Sequence, residues 1–179
     1  MKIAVYCGAD SGIDSAYAEA ARELGRWIAA EGNTLVYGGG NAGLMGEVAC
    51  QVHSLGSEVI GVLPGDVEFI MSRPQPYASQ LIVASNMSER KEKMLEIADA
   101  FIALPGGIGT LDEISEAITL TKIGVFRKPC ILFNRKGFYE PLRNMIEEME
   151  KAGFLNADSI KDVLFSDNTS EIANFLKKY

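Results

Sequence analysis

Short apolar runs alternate with longer amphipathic stretches along most of the chain. The short runs predict buried strands, because they are apolar and rich in β-branched or aromatic residues. These runs cover residues 2–7, 34–37, 58–63, 80–84, 100–104 and 129–133. The amphipathic stretches predict helices over residues 15–31, 44–55, 86–98, 110–123, 139–151 and 170–177. This alternation predicts an α/β fold with a doubly wound parallel sheet, in a single domain spanning residues 1–179.

The pattern is weakest over residues 66–79. Pro74 and Pro76 are incompatible with a helix interior, so we predict a loop after a short helix there. Ligands of doubly wound sheets bind at the carboxyl ends of the strands, where the glycine-rich turns of this chain also lie. We therefore expect the ligand-binding residues to lie in or next to those turns.

The run at residues 100–104 ends in the most informative turn. Pro105 stops the strand, and three glycines in the next four positions keep side chains out of the loop. Thr110 is predicted to cap the next helix, with Glu113 at the N3 position of a capping box. Free N–H groups at the positive end of a helix dipole bind anions, most often phosphate. The alternative is a tight turn with an ordinary cap.

Arg90 is the second candidate. A capping box of Asn86 and Glu89 opens its helix, and the arginine then shares a stripe with Met87 and Met94. A guanidinium on an apolar stripe is costly unless it meets an anion. We expect the neighbouring Lys91 to reach the same mouth of the sheet, so that two cations face a phosphate ester. The alternative is an arginine paired with a structural carboxylate.

Glu113 is the carboxylate predicted to reach such a ligand. A functional interpretation places it over an anion bound by the glycine turn. The alternative is that it only completes the cap with Thr110, while Asp112 interacts with the helix dipole. His53 and the cysteines are interpreted as core or surface residues, because no nucleophile–base pair competes.

The amino-acid composition limits the classes of binding partner that we expect. With 17 basic and 24 acidic residues the net charge is −7, which argues against nucleic acid or an anionic membrane. Three scattered cysteines predict reduced thiols in a cytoplasmic protein, and a single histidine cannot build a histidine-based metal cluster. No apolar run reaches membrane-spanning length. We therefore expect neither a metal nor a membrane partner.

Two nucleotide-binding motifs are excluded or weak. Gly38-x-Gly40-x-x-Gly43 matches the dinucleotide fingerprint, but no carboxylate ends the next strand to hold an adenosine ribose. A nicotinamide cofactor is therefore not expected. The chain also lacks a Walker sequence.

Three motifs resemble the LOG ("lonely guy") family. They are Gly-Gly-Gly-Asn-Ala-Gly-Leu-Met-Gly at 38–46, Met-Ser-Glu-Arg-Lys-Glu-Lys-Met at 87–94 and Pro-Gly-Gly-Ile-Gly-Thr-Leu-Asp-Glu at 105–113. Members are cytokinin riboside 5′-monophosphate phosphoribohydrolases, long mislabelled as lysine decarboxylases. The resemblance extends from residue 2 to about 155. It implies a Rossmann-like fold, a homodimer or larger assembly, and cleavage of an adenosine-type 5′-monophosphate to free base and ribose 5-phosphate without a cofactor.

The resemblance also implies the site. Arg90 and Glu113 would form the catalytic pair. Contacts with the nucleoside 5′-monophosphate would come from Gly39, Gly40, Lys91, Gly106, Gly107, Ile108, Gly109, Thr110, Leu111, Asp112 and Thr119. Two departures affect recognition of the base. Residues 119–124 read Thr-Leu-Thr-Lys-Ile-Gly where many members have Thr-Trp-x-Gln-Leu-Gly, and residues 66–79 differ from the family, with Glu68 the nearest acidic candidate.

Three alternatives stay open at this point. The first is a general nucleosidase acting on AMP or other 5′-monophosphates. The second is a binding protein without chemistry, such as a nucleotide sensor or a pterin-cofactor carrier. The third, a pyridoxal-dependent lysine decarboxylase, rests on the old family label and has no support in the sequence.

Overall fold

A computed structural model describes residues 1–65 and 76–179. Within them, seven parallel strands form one sheet with the order β4-β3-β2-β1-β5-β6-β7. The strands are Lys2–Tyr6 (β1), Thr34–Tyr37 (β2), Val59–Pro64 (β3), Gln80–Ala84 (β4), Ala100–Ala103 (β5), Cys130–Leu132 (β6) and Val163–Phe165 (β7). The predicted parallel sheet is confirmed.

Helices cover both faces of this sheet. In the described part of the chain they are Ser15–Ala30 (α1), Gly43–Ser54 (α2), Met87–Ile97 (α3), Ile108–Lys122 (α4), Glu140–Lys151 (α5) and Thr169–Leu176 (α6), with 3-10 turns at Arg135–Gly137 and Ala157–Ile160. The cores of α1, α2 and α6 pack on one face, around Leu24, Val48 and Ile172. Met94 of α3 and Ile114 of α4 pack on the other. The doubly wound, Rossmann-like arrangement is therefore confirmed.

The seventh strand was not predicted. β7 has three half-buried residues and pairs with β6 at the edge of the sheet. Such a short run carries too little pattern to be recognised as a strand. The predicted short helix and most of the loop at residues 66–79 lie outside the described residues.

The start of α4 differs from the prediction. Gly107 is the N-cap and the helix begins at Ile108, so the predicted capping box of Thr110 and Glu113 is wrong. Gly107 can take the extended cap conformation without a side chain, and Thr110 falls inside the first turn, where it is buried. Because Glu113 does not cap the helix, its carboxylate is available for other contacts.

The strand order locates the crevice of the fold. β1 lies between β2 and β5, so the loops that follow β1 and β5 are neighbours. The chain leaves β1 for α1 on one face and leaves β5 for α4 on the other. Loops that diverge in this way open a crevice at the carboxyl edge, where doubly wound proteins bind ligands.

Gly43 allows two loops at this edge of the sheet to pack closely against each other. Its φ is +58°, and a Cβ there would lie 2.1 Å from the carbonyl oxygen of Ala9. Gly56 also has a positive φ, of +79°, but a Cβ there would meet nothing within 4 Å. Gly43→Ala should therefore lower the free energy of unfolding by about 3 kcal/mol, and Gly56→Ala by about 1 kcal/mol, in urea titrations. Equal losses would contradict this close contact.

Candidate active site

A pocket of about 570 Å³ opens in the crevice between the loops after β1 and β5. Its wall combines five parts of the chain: the loop after β1, the start of α2, the inner face of α3, the start of α4, and two aromatic side chains. The lining residues are Cys7, Gly8, Ala9, Asp10, Ser11, Gly12, Tyr17, Leu44, Met45, Met87, Arg90, Pro105, Gly106, Gly107, Gly109, Thr110, Glu113 and Phe138.

An ion pair between Arg90 and Glu113 lies in the wall of this pocket. Arg90 Nη1 donates to Glu113 Oε1 at 2.6 Å, and the two side chains are only 9% and 12% exposed. Arg90 Nε also donates to the carbonyl of Val62 at 3.0 Å. Gly38 makes room for the guanidinium, since a Cβ there would lie 2.2 Å from Arg90 Nη2. The guanidinium is thus held in one position by charge, hydrogen bonding and packing.

Local sequence sets the direction of Arg90. The Asn86 side chain accepts a hydrogen bond from the backbone N–H of Glu89 at 3.0 Å, and the Glu89 carboxylate accepts one from the N–H of Ser85 at 2.6 Å. The first of these bonds is the N-cap that fixes where α3 begins, whereas the second binds Ser85 and does not complete the predicted capping box at the Asn86 N–H. Because the start is fixed, Arg90 falls on the buried face with Met94. The prediction that α3 opens at Asn86 is confirmed.

Burial and the ion pair act on the Glu113 carboxyl in opposite directions. Burial raises the pKa of Glu113, while the charge and hydrogen bond of Arg90 oppose that rise. The net direction is upward from the ordinary pKa value of 4.5. Burial therefore favours the neutral acid and Arg90 favours the carboxylate, with burial the larger of the two effects.

We expect this shift in a titration of the carboxyl groups. In ¹³C-labelled protein, the signal lost in Glu113→Gln is that of Glu113, and its midpoint should lie above pH 4.5. Since the pKa is higher in the folded state, the stability that this group contributes is present at low pH and is lost as the pH rises through the folded pKa. A midpoint at or below 4.5 would contradict the dominance of burial.

The start of α4 forms an anion cradle. Its N-cap, Gly107, makes no side-chain capping hydrogen bond, and the first backbone N–H groups of a helix have no partner within the helix. A Cβ at Gly107 or Gly109 would meet nothing within 4 Å, and both glycines are exposed, so no side chain of the described residues covers this turn. This geometry, with a helix dipole behind it, suits a phosphate group.

The pocket brings together part of the predicted site. Arg90, Glu113, Gly106, Gly107, Gly109 and Thr110 all line it. Ile108 and Leu111 lie at the start of α4 without lining the pocket, and they are 81% and 38% exposed. The contacts assigned to these residues stay predictions.

The side chain of Lys91 points away from the pocket that Arg90 lines. Its Nζ lies 2.9 Å from Asp112 and 3.0 Å from Glu116, in a separate recess that Thr119 also lines. The expectation that Lys91 reaches the same mouth as Arg90 is therefore not met on this chain. Successive residues of a helix point about 100° apart, and here Arg90 faces the pocket while Lys91 faces the carboxylates of α4.

Gly39 and Gly40 are not among the residues that line the pocket. A Cβ at Gly39 would meet Leu63 at 2.4 Å, and one at Gly40 would meet Met45 at 2.8 Å. These two glycines allow close packing, and direct contact with substrate stays a prediction for them. Glu68, the acidic candidate, lies outside the described residues.

The sequence interpretation missed the loop after β1 and the aromatic wall. Residues 8–12 were recognised only as a turn, yet they line the pocket next to the anion cradle. Tyr17 and Phe138 meet edge to face at 5.7 Å beside them. The order of the strands would have revealed these neighbours, but parallel pairing is long-range and leaves no local signal.

The described residues contain no group of three or more potential metal ligands. No helix among them is long and apolar enough to cross a membrane.

Sequence comparison identifies relatives across almost the whole chain. A family model described as "Possible lysine decarboxylase" matches residues 45–176. The chain is 40% identical over 178 residues to the cytokinin riboside 5′-monophosphate phosphoribohydrolase LOG of Oryza sativa subsp. japonica, covering 99% of this chain and 73% of the relative. It is also 40% identical over 153 residues to the enzyme of that name from Rhodococcoides fascians, covering 86% of this chain and 77% of the relative.

Solved structures share the fold. The Moco carrier protein from Chlamydomonas reinhardtii has a TM-score of 0.74 and 22% identity, over 99% of this chain and 98% of the other. The molybdenum cofactor binding protein of Rippkaea orientalis has a TM-score of 0.73 and 23% identity, over 99% and 95%. Similarity at this level of identity shows the fold alone.

Proposed function

The chain belongs to the LOG family of cytokinin riboside 5′-monophosphate phosphoribohydrolases, and we propose that it hydrolyses the N-glycosidic bond of an N6-modified adenosine 5′-monophosphate. The products are the free base and ribose 5-phosphate. The observation that carries the proposal is the Arg90–Glu113 ion pair, 2.6 Å long, in the wall of a pocket that also contains the anion cradle. One site thus combines a phosphate-binding element with a carboxyl group that is paired with a guanidinium.

The phosphate of the substrate is placed at the start of α4. The open N–H groups around Gly107 supply the donors that a phosphate needs, and the helix dipole adds positive potential. Glu113 lies one and a half turns along the same helix, so the ribose of a bound nucleotide can extend from the cradle toward this carboxylate. Binding energy from the phosphate, which does not react, is thereby used to position C1′.

Glu113 is proposed to act on the transition state. Cleavage of a glycosidic bond passes through a species with positive charge on the sugar ring, as in glycoside hydrolysis. A carboxylate near C1′ stabilises that charge and accepts a proton from the attacking water. The water oxygen bonds to C1′, the C1′–N electron pair leaves with the base, and the proton lost by water ends on the base.

Arg90 is proposed to hold Glu113 for this role. A guanidinium does not give up its proton readily at the pH values at which enzymes work, so Arg90 is a poor general acid. Its hydrogen bond to Glu113 fixes the carboxylate, and its charge opposes the rise in pKa that burial causes. Arg90 therefore favours the ionised form of a largely buried carboxyl group.

Steady-state kinetics with three compounds test the substrate. We expect turnover of N6-isopentenyladenosine 5′-monophosphate and none of its nucleoside, which lacks the phosphate for the cradle. AMP is the third compound, because it tests for a general nucleosidase. That alternative is favoured by Leu120, which stands where many members have tryptophan. Leu120 lines the separate recess that contains Lys91. Equal kcat/KM for AMP and the N6-modified nucleotide would establish the general nucleosidase, and turnover of the nucleoside would contradict the phosphate site.

A homodimer is proposed as the assembly. Support comes from the family and from apolar side chains at both ends of α4, where Ile108, Ile123 and Val125 are 81%, 64% and 63% exposed. Static light scattering should give twice the monomer mass, whereas a monomer mass would contradict this assembly.

The cytoplasm is the proposed location of the protein, and the three free cysteines support it.

A further inference from the structure

The pocket contains a second carboxylate, and this one is unpaired. Asp10 and Glu113 are the acidic residues in the lining, and Glu113 is bound by Arg90. Asp10 is exposed and, within residues 1–65 and 76–179, makes no hydrogen bond or ion pair. Asp14, on the same loop, is by contrast committed to capping α1 and to pairing with Lys136 at 2.6 Å. Among the acidic residues that the structure describes in this pocket and its loop, Asp10 is thus the one whose carboxylate is free to bind a ligand.

Backbone contacts fix where Asp10 lies. The N–H of Gly8 donates to the carbonyl of Pro105 at 3.1 Å, which attaches the beginning of the loop to the anion cradle. Two residues later the loop packs on α2, since a Cβ at Gly43 would lie 2.1 Å from the Ala9 oxygen and 2.7 Å from the Asp10 nitrogen. The loop therefore leads from the start of α4 to the start of α2, and Asp10 lies on the α2 side of the pocket.

This position suits a sugar hydroxyl better than a phosphate. An ionised carboxylate only accepts hydrogen bonds and repels a phosphate, whose place is at the N–H groups of α4. A ribose attached to that phosphate offers hydroxyl donors. Acidic residues in related dinucleotide-binding sheets hold the ribose 2′-hydroxyl in this way, although there the carboxylate follows a different strand.

We propose that Asp10 accepts a hydrogen bond from the ribose 2′-hydroxyl of the substrate and makes the enzyme selective for ribonucleotides over 2′-deoxyribonucleotides. The proposal takes its substrate class from the proposed function. It assigns a specificity-determining role to a loop that the sequence motifs did not include.

Kinetics of Asp10 variants test this selectivity. Asp10→Ala should lower kcat/KM for N6-isopentenyladenosine 5′-monophosphate by about 10- to 100-fold and that for its 2′-deoxy analogue by less than about 3-fold, because only the ribonucleotide loses a hydrogen bond to a charged group. Asp10→Asn keeps the shape of the side chain and removes its charge, so it should also lower kcat/KM more for the ribonucleotide than for the 2′-deoxyribonucleotide. This variant keeps the test valid if alanine disturbs the loop. Glu147→Gln, an exposed position on α5, is the matched control for the lost charge. Equal losses for both nucleotides, or equal gains from a relieved repulsion of phosphate, would overturn the proposal.

Binding of the sugar phosphates gives a readout without turnover. Calorimetry should show that the wild-type protein binds ribose 5-phosphate at least about 10-fold more tightly than 2-deoxyribose 5-phosphate, and that Asp10→Ala removes the difference. If N6-isopentenyladenosine 5′-monophosphate stays intact but this difference is found, the proposed function fails and the role of Asp10 stands. If that nucleotide is cleaved and the variant keeps the wild-type selectivity, the role of Asp10 fails and the function stands.

Discussion

Glu113→Gln is expected to lower kcat by about 1000-fold while leaving the affinity for nucleotide within a few-fold of wild type. Glutamine has the shape of glutamate and can still accept a hydrogen bond from Arg90, so the pocket and the anion cradle are preserved. It carries no negative charge to stabilise the transition state and cannot take a proton from water. Single-turnover kinetics and calorimetry measure the two quantities separately.

The control for this change is Glu147→Gln, which removes the same charge from an exposed position of α5 and should turn over as wild type does. A Glu113→Gln enzyme with normal kcat would contradict the assignment of Glu113. A variant that no longer binds nucleotide would show that Glu113 acts in binding, which would also contradict a role confined to the transition state.

Arg90→Met is expected to lower the free energy of unfolding by about 3–5 kcal/mol, together with a loss of activity of at least about 100-fold. Methionine fills much of the space, but it leaves the Glu113 carboxylate largely buried without its partner, and the Val62 carbonyl loses its donor. The activity falls because the unpaired carboxyl is protonated more readily. Urea unfolding and steady-state kinetics measure the two losses.

The double variant Arg90→Met/Glu113→Gln separates stability from catalysis. Without a buried charge to leave unpaired, it should recover a large part of the lost stability, and a double-mutant cycle gives the coupling between the two residues. Its activity should stay at the level of Glu113→Gln. A single Arg90→Met variant as stable as wild type would contradict the energetic role of the ion pair.

The sequence predicted the fold well because the strands carry strong local patterns. Runs such as residues 100–104 are short and apolar, and most of the predicted runs are bounded by glycine or proline. β7 was not predicted, since its three residues are half-buried at an edge of the sheet. The order of the strands was not predictable, because parallel neighbours such as β1 and β5 are about 95 residues apart in the chain and pair only in the folded protein.

The candidate site was predictable where the residue type did not suit its predicted environment, as when a charged residue falls on an apolar stripe. Arg90 was found because a charge on an apolar stripe needs an explanation, and the structure pairs it with Glu113. Thr110 was given a capping role by spacing alone, and Gly107 takes that role instead. Asp10 had no signal in the sequence, because a polar residue in a turn is ordinary until the strand order brings it to the pocket.

Hydrolysis is the central claim, because proteins with this fold include carriers of a cofactor as well as the hydrolases of the LOG family. The most direct test is to incubate the purified protein with N6-isopentenyladenosine 5′-monophosphate and to quantify base, sugar phosphate and nucleotide by chromatography. The predicted result is free base and ribose 5-phosphate in equal amounts, with both products lost in Glu113→Gln. Nucleotide that binds to the protein and is recovered intact would contradict the claim.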